Sequence, residues 1–216
     1  LNVILMSDPR VAAIPIEECG EPLVDVRAYR DLLVDGLKSE PAGHFAHLRQ
    51  GVLERLLHAQ SQLPAGLRLL FVEGYRPPQL QRSYFEEYAG ELRAGNPTWS
   101  EEQIHSAASR YVSPPHIAPH SAGAAVDLTL AGEDGRELDL GTRMNASPEE
   151  SDGACYTLSE RINEAARDNR STLCAAMIDA GFVNYATEWW HFSYGDRYWA
   201  LMTRQGAALY GPVDRP

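Results

Sequence analysis

The stretch HSAGAAVDLTL, residues 120–130, places one aspartate, Asp127, inside an apolar run that reads as a β-strand. Removing even a neutral polar group from water without a partner costs roughly 2–7 kcal/mol, and a carboxylate costs more. The fold must therefore bring something positive to Asp127. Strand alternation puts Ala125, Asp127 and Thr129 on one face and Val126, Leu128 and Leu130 on the other. The second face suits a core. The first lines a cavity beside His120, at the mouth of the strand. A divalent cation would satisfy both groups, because imidazole nitrogen and carboxylate oxygen are ordinary zinc ligands and a catalytic zinc commonly has three protein ligands.

The third ligand expected is His191, because Glu188 stands three residues before it in EWWH. Metal-assisted hydrolysis needs a carboxylate beside the metal to take a proton from water and pass it to the leaving amine. Residues three apart on a regular strand point to opposite faces, so Glu188 is expected at a turn entering the strand, with YATE (residues 185–188) as that turn. Arg76, in EGYRP, supplies the remaining need. A guanidinium held by a Gly-Tyr-Arg-Pro turn can stabilise the negative charge that develops on the carbonyl oxygen. Trp189 and Trp190 read as packing residues. His116 reads as a loop histidine, and His44, His47, His58 and His105 fall on expected helices without a nameable carboxylate partner.

The elements around these motifs follow from periodicity. Residues 1–30 mix apolar runs with Pro and Gly and read as irregular, with room for one strand. Phe45, Leu48, Val52 and Leu56 at helical spacing predict a helix over about 42–62. GLRLLFVEG predicts a strand ending at Gly74, and PQLQRSYFEEYAGELRAG a helix opening on proline and closing near Gly95. Ser100 with Gln103 is a capping-box signature. The three prolines of 113–120 predict an extended loop, and a strand follows over about 124–130. Residues 131–157 read as a long polar excursion, RSTLCAAMIDAGF as a helix ending at Gly181, and VNYATEWWHFSYG as strand. This order predicts an α+β fold: an antiparallel sheet with helices packed on it and the metal site at the sheet, in a central cleft.

The length of 216 residues suits one domain, 1–216, rather than two. A net charge of −11 leaves no basic footprint for nucleic acid or an anionic membrane. Lys38 is the chain's one lysine, which reads as coding bias. Three cysteines without C-x-x-C spacing argue against a disulfide framework and a cysteine-based zinc site. The N-terminal stretch lacks a basic segment, so no signal peptide is read and a cytoplasmic location is expected, a removed leader being the route to the periplasm or secretion.

Taken together, Ser-x-His-x-x-Gly-x-Ala-x-Asp followed by Glu-x-x-His resembles the zinc D-Ala-D-Ala metallopeptidases. GYRP, AVDLTL and EWWH look most like the VanX-type dipeptidases, over roughly residues 66–200. The resemblance implies one zinc ion per chain bound by His120, Asp127 and His191, with Glu188 as catalytic base and Arg76 stabilising the transition state. It implies a small D-amino-acid dipeptide such as D-Ala-D-Ala as substrate. The rival readings are a peptidoglycan D,D-carboxypeptidase or L,D-endopeptidase on the same scaffold, and a non-catalytic zinc-containing binding domain. Two positions depart from the pattern: Ala118 stands where the motif has serine, and the segment 141–159 differs. The excursion at 131–157 is expected to help close the pocket around a dipeptide, with Glu149, Glu150 and Asp152 either drawing in the substrate ammonium or simply solvated.

Overall fold

In the computed structural model, which describes residues 3–36, 38 and 40–214, the site-bearing strands form the middle of a five-stranded sheet. The helices are α1 (Pro9–Ala13), α2 (Gln50–Gln62), α3 (Pro78–Gly95), α4 (Glu101–Ala108), α5 (Glu164–Asp179) and α6 (Arg197–Thr203). The strands are β1 (Leu23–Asp25), β2 (Leu33–Val34), β3 (His47–Arg49), β4 (Leu67–Glu73), β5 (Ala125–Gly132), β6 (Val183–Asn184) and β7 (His191–Ser193). The sheet order is β2-β4-β5-β7-β6, and β1 pairs with β3 in a separate ribbon. The fold is α+β as expected. One edge departs from the antiparallel expectation: β2 runs parallel to β4.

Val126, Leu128 and Leu130 of β5 are buried with Leu53 and Leu56 of α2 and Leu173 and Met177 of α5 in the main core. Burying each such side chain contributes up to about 1.5–3 kcal/mol. Asp127 points the other way, into a cavity whose far wall is α3. That wall is braced by a second cluster, in which Phe85 and Leu92 of α3 pack on Ile104 of α4. The capping box forms, with Gln103 N–H on Ser100 Oγ at 3.2 Å and Ser100 N–H on Gln103 Oε1 at 2.8 Å.

Several boundaries move. The helix expected over 42–62 begins only at Gln50, because residues 47–49 pair with 23–25 as β3. Phe45 and Leu48 are still buried, but in a 3₁₀ turn and a strand, so their spacing reported burial and not helix. His44 accordingly opens a 3₁₀ turn and His47 a strand, neither on an α-helix, and His58 has a carboxylate neighbour after all, Asp179 at 3.7 Å. Residues 1–30 hold the short helix α1 as well as β1. The helix expected from 170 starts at Glu164, where the Asn163 side chain accepts from Ala166 N–H. It ends before Gly181, whose φ of +91° suits a residue without a side chain. The strand expected across 183–195 is two short strands separated by a turn.

The excursion is ordered rather than merely solvated. Residues 131–137 fold back through an Ala131–Glu137 bridge. Beyond it, buried Arg170 donates to the carbonyls of Leu140, Tyr156 and Ala154 at 2.7, 2.7 and 2.9 Å. Trp189 Nε1–H reaches Thr142 Oγ1 at 2.8 Å, so the loop is strapped to the EWWH turn. Cys19, Cys155 and Cys174 are free thiols, the first exposed and the second buried. Among the described residues no helix is long and apolar enough to cross a membrane.

Candidate active site

Neighbouring strands carry Glu73, Asp127 and His191 in one row. Asp127 is the cross-strand partner of His191 on β7 and of Glu73 on β4. Cross-strand partners share a face, so all three side chains meet on the cavity side. The row depends on a register shift in β4 between Phe71 and Glu73, a bulge that turns Glu73 towards Asp127.

His120 arrives from outside the sheet. It sits in a 3₁₀ turn, Pro119–Ala122, which begins on a proline and closes on Gly123. Gly123 has φ +63°, and a Cβ there would lie 2.3 Å from Leu23 Cδ2, so glycine suits the turn and any larger residue would strain it or displace Leu23. The Gly74 carbonyl lies 2.6 Å from His120 Nδ1 and can only accept, so Nδ1 carries the proton. The lone pair on Nε2 then faces Asp127 Oδ1 at 3.3 Å. His191 presents Nδ1 to the same oxygen at 3.0 Å, while its buried Nε2 has no hydrogen-bond partner among the described residues.

Glu188 occupies the turn before β7. Its N–H donates to Tyr185 O at 2.8 Å and its carbonyl accepts from His191 N–H at 3.3 Å. The Asn184 amide ties the turn together by donating to the carbonyls of Glu188 and His191 at 3.1 and 3.0 Å. The turn removes the objection of opposite strand faces: Glu188 Oε2 lies 3.8 Å from His191 Nδ1.

The five residues singled out from the sequence thus converge, and all line one cavity of about 630 Å³. Ligands about 2.0–2.2 Å from a tetrahedral ion stand roughly 3.3–3.5 Å from one another. The donor atoms of His120, Asp127 and His191 all lie within 4.8 Å of one another, with Asp127 3.0 and 3.3 Å from the two imidazoles. Two imidazoles and one carboxylate at these separations fit a zinc ion. His116 stays outside this cluster, on the exposed surface. Trp189 and Trp190 are buried and stacked edge to face.

Electrostatics separates the carboxylates. Burial alone would raise the Asp127 carboxyl, but the His120 and His191 imidazoles overcome it and hold it far below the usual range. Glu188 goes the other way: burial and the nearby Asp127 charge push it well up, only partly opposed by Arg76. Glu73 is also buried, yet Arg76 outweighs the desolvation and holds it down at about 2. Two carboxyls pushed apart in this manner suit an ionised ligand and a second group that exchanges a proton.

Glu73 is a charged residue of this cluster that the sequence reading did not single out. It takes Arg76 Nε–H and Nη2–H at 2.8 and 2.7 Å, while Gln81 Oε1 takes Nη1–H at 2.9 Å. Arg76 is therefore fixed in orientation, not free to wander in its turn. The available signal was a lone acid closing an apolar strand three residues before Arg76. The three acidic residues singled out in the excursion are ion-paired: Glu149 with Arg110, besides a hydrogen bond from Tyr88, Glu150 with Arg143, and Asp152 with Arg161. Glu149 and Glu150 nonetheless line the cavity, each already holding an arginine.

A family model described as D-ala-D-ala dipeptidase matches residues 43–206, which include every residue of this site. The chain belongs to that family. The match makes it a peptidase and extends beyond the 66–200 stretch read from the motifs. A D-alanyl-D-alanine dipeptidase of Synechocystis is 28% identical over 242 residues, covering 94% of this chain and 96% of that protein. One of Escherichia coli is 30% identical over 133 residues, covering 59% of this chain and 55% of that protein. A solved structure described as VanYB in complex with D-Alanine-D-Alanine is 16% identical, covers 93% of this chain and 95% of that one, and superposes with a TM-score of 0.46.

Proposed function

We propose that the chain is a zinc-dependent dipeptidase that hydrolyses D-alanyl-D-alanine or a similarly small D-amino-acid dipeptide. The observation that carries the reading is the meeting of a three-donor cluster, a carboxyl raised by burial and a locked guanidinium on one cavity wall. The relatives' shared name, D-alanyl-D-alanine dipeptidase, supports the choice of substrate. His120 Nε2, Asp127 and His191 Nδ1 would hold the zinc, one ion per chain, which when bound supplies Lewis-acid activation of the peptide and of water at neutral pH.

The chain's own residues do the rest. Glu188 takes the proton of the attacking water and returns it to the departing nitrogen, a task served by a carboxyl moved up towards working pH. Arg76 faces the charge that develops on the carbonyl oxygen. Its clamp by Glu73 and Gln81 means that little reorganisation is needed as the charge appears. The excursion and α3 wall two sides of the cavity, which narrows the access of water to the site. A cytoplasmic location and a 1–216 single-domain organisation accompany this reading. The test is a panel of dipeptides of defined stereochemistry, assayed with and without a chelator alongside zinc analysis. Chelator-sensitive release of D-alanine is expected; zinc content without hydrolysis of any D,D- or L,D-peptide would leave the binding-domain reading.

A further inference from the structure

A dipeptide brings a free carboxylate into the cavity, and only a nitrogen and one carbon separate it from the carbonyl under attack. Its counter-charge must therefore lie beside the reaction centre. Three cations line the cavity: Lys38, Arg76 and Arg143. Arg143 is two-thirds exposed and already bound to Glu150 at 2.8 Å. Arg76 is clamped by Glu73 and Gln81. Lys38 differs from both. Glu73 Oε2 takes one of the three N–H donors of its ammonium, at 2.9 Å, and Nζ lies 5.6 Å from the centre of the Tyr84 ring, another cavity residue. Glu73 is the strand partner of Asp127, which places Lys38 one strand over from the donor cluster. Among these pairs two cations share one buried carboxylate, so the Lys38–Glu73–Arg76 group presents an excess positive charge to the cavity.

We propose that Lys38 binds the C-terminal carboxylate of the substrate, its ammonium steered by Glu73 and Tyr84. The assignment rests on the dipeptidase reading above and makes Lys38 a specificity residue. It demands a free acid one residue beyond the cleaved bond. The lysine that reads as a compositional remnant in the sequence thus becomes the anchor that makes this an exopeptidase site.

The test compares D-Ala-D-Ala with its C-terminal amide in the wild type, Lys38→Met and Lys38→Arg. Lys38→Met should raise KM for the free acid about 10- to 100-fold, the worth of a hydrogen bond to a charged group, and leave KM for the amide nearly unchanged. Lys38→Arg should restore most of the free-acid affinity. Glu73 keeps its Arg76 pair in both variants, and matching thermal melts will verify the fold. Equal effects on acid and amide, or none on either, would overturn the assignment. A wild type that cleaves neither peptide would sink the dipeptidase reading instead, and Lys38 is then judged by footprinting. As the chain's one lysine, it is the single side-chain target of an amine-acylating reagent. Slower acylation at residue 38 with D-Ala-D-Ala, but not with the amide, supports carboxylate binding; unchanged acylation overturns it.

Discussion

Glu73→Gln is the perturbation whose size the structure defines most closely. The carboxylate is buried, with a side chain 4% exposed, and it is held by Arg76 at 2.7 Å and Lys38 at 2.9 Å. Removing one partner of a buried ion pair typically costs about 3–5 kcal/mol, because the remaining charge stays desolvated. The Glu73 pKa, which burial would raise but mainly Arg76 holds down, points the same way. A fall from the ordinary 4.5 to about 2 in the folded state corresponds to about 3 kcal/mol at neutral pH. The folded value is depressed, so this stability is fully present above the unfolded value. It is lost as pH falls through the folded one, and roughly 1 kcal/mol should remain at pH ~3. The assay is urea denaturation of wild type and Glu73→Gln at a series of pH values from ~7 to ~3. Both proteins are stripped with chelator so that acid release of metal does not enter. The stability difference should be about 3 kcal/mol at neutral pH and shrink steadily towards pH ~3. A difference under 1 kcal/mol at pH ~7, or one that does not change with pH, would refute the argument that Glu73 is an ionised bridge between the two cations.

The other predictions concern turnover. Glu188→Gln should retain zinc and lose about 10²–10⁴-fold in kcat; near-normal turnover would assign the base elsewhere. Arg76→Ala should lower kcat about 10²–10³-fold, and an effect confined to KM would move Arg76 from the transition state to ground-state binding. Free D-Ala-D-Ala should be cleaved faster than a pentapeptide ending in D-Ala-D-Ala, measured as kcat/KM on each; the reverse order would favour the carboxypeptidase reading.

The candidate site was legible in the sequence because burial cost alone demands a partner for Asp127. His120 and the Glu188–His191 pair are short-range patterns that narrow the choice. The helices with strong local signals were legible too: the Ser100–Gln103 capping box of α4 and the proline-opened α3 form as written. Where local pattern and long-range pairing compete, the sequence is silent. Phe45 and Leu48 carry helical spacing, yet β1 recruits residues 47–49 as a strand, since backbone pairing from more than twenty residues away outweighs a weak local preference. Asn184 ties the Glu188 turn through contacts that no spacing rule encodes. The roles of Glu73 and Lys38 are the clearest cases. Each is an ordinary charged residue in the chain, one closing a strand and one in a loop. Only the bulge in β4 and the fold of β2 beside it bring them to Arg76 and the row of Asp127 and His191. The chemistry of single residues is written locally, whereas which charges share a buried carboxylate depends on register and sheet order, and those emerge only when the whole core closes.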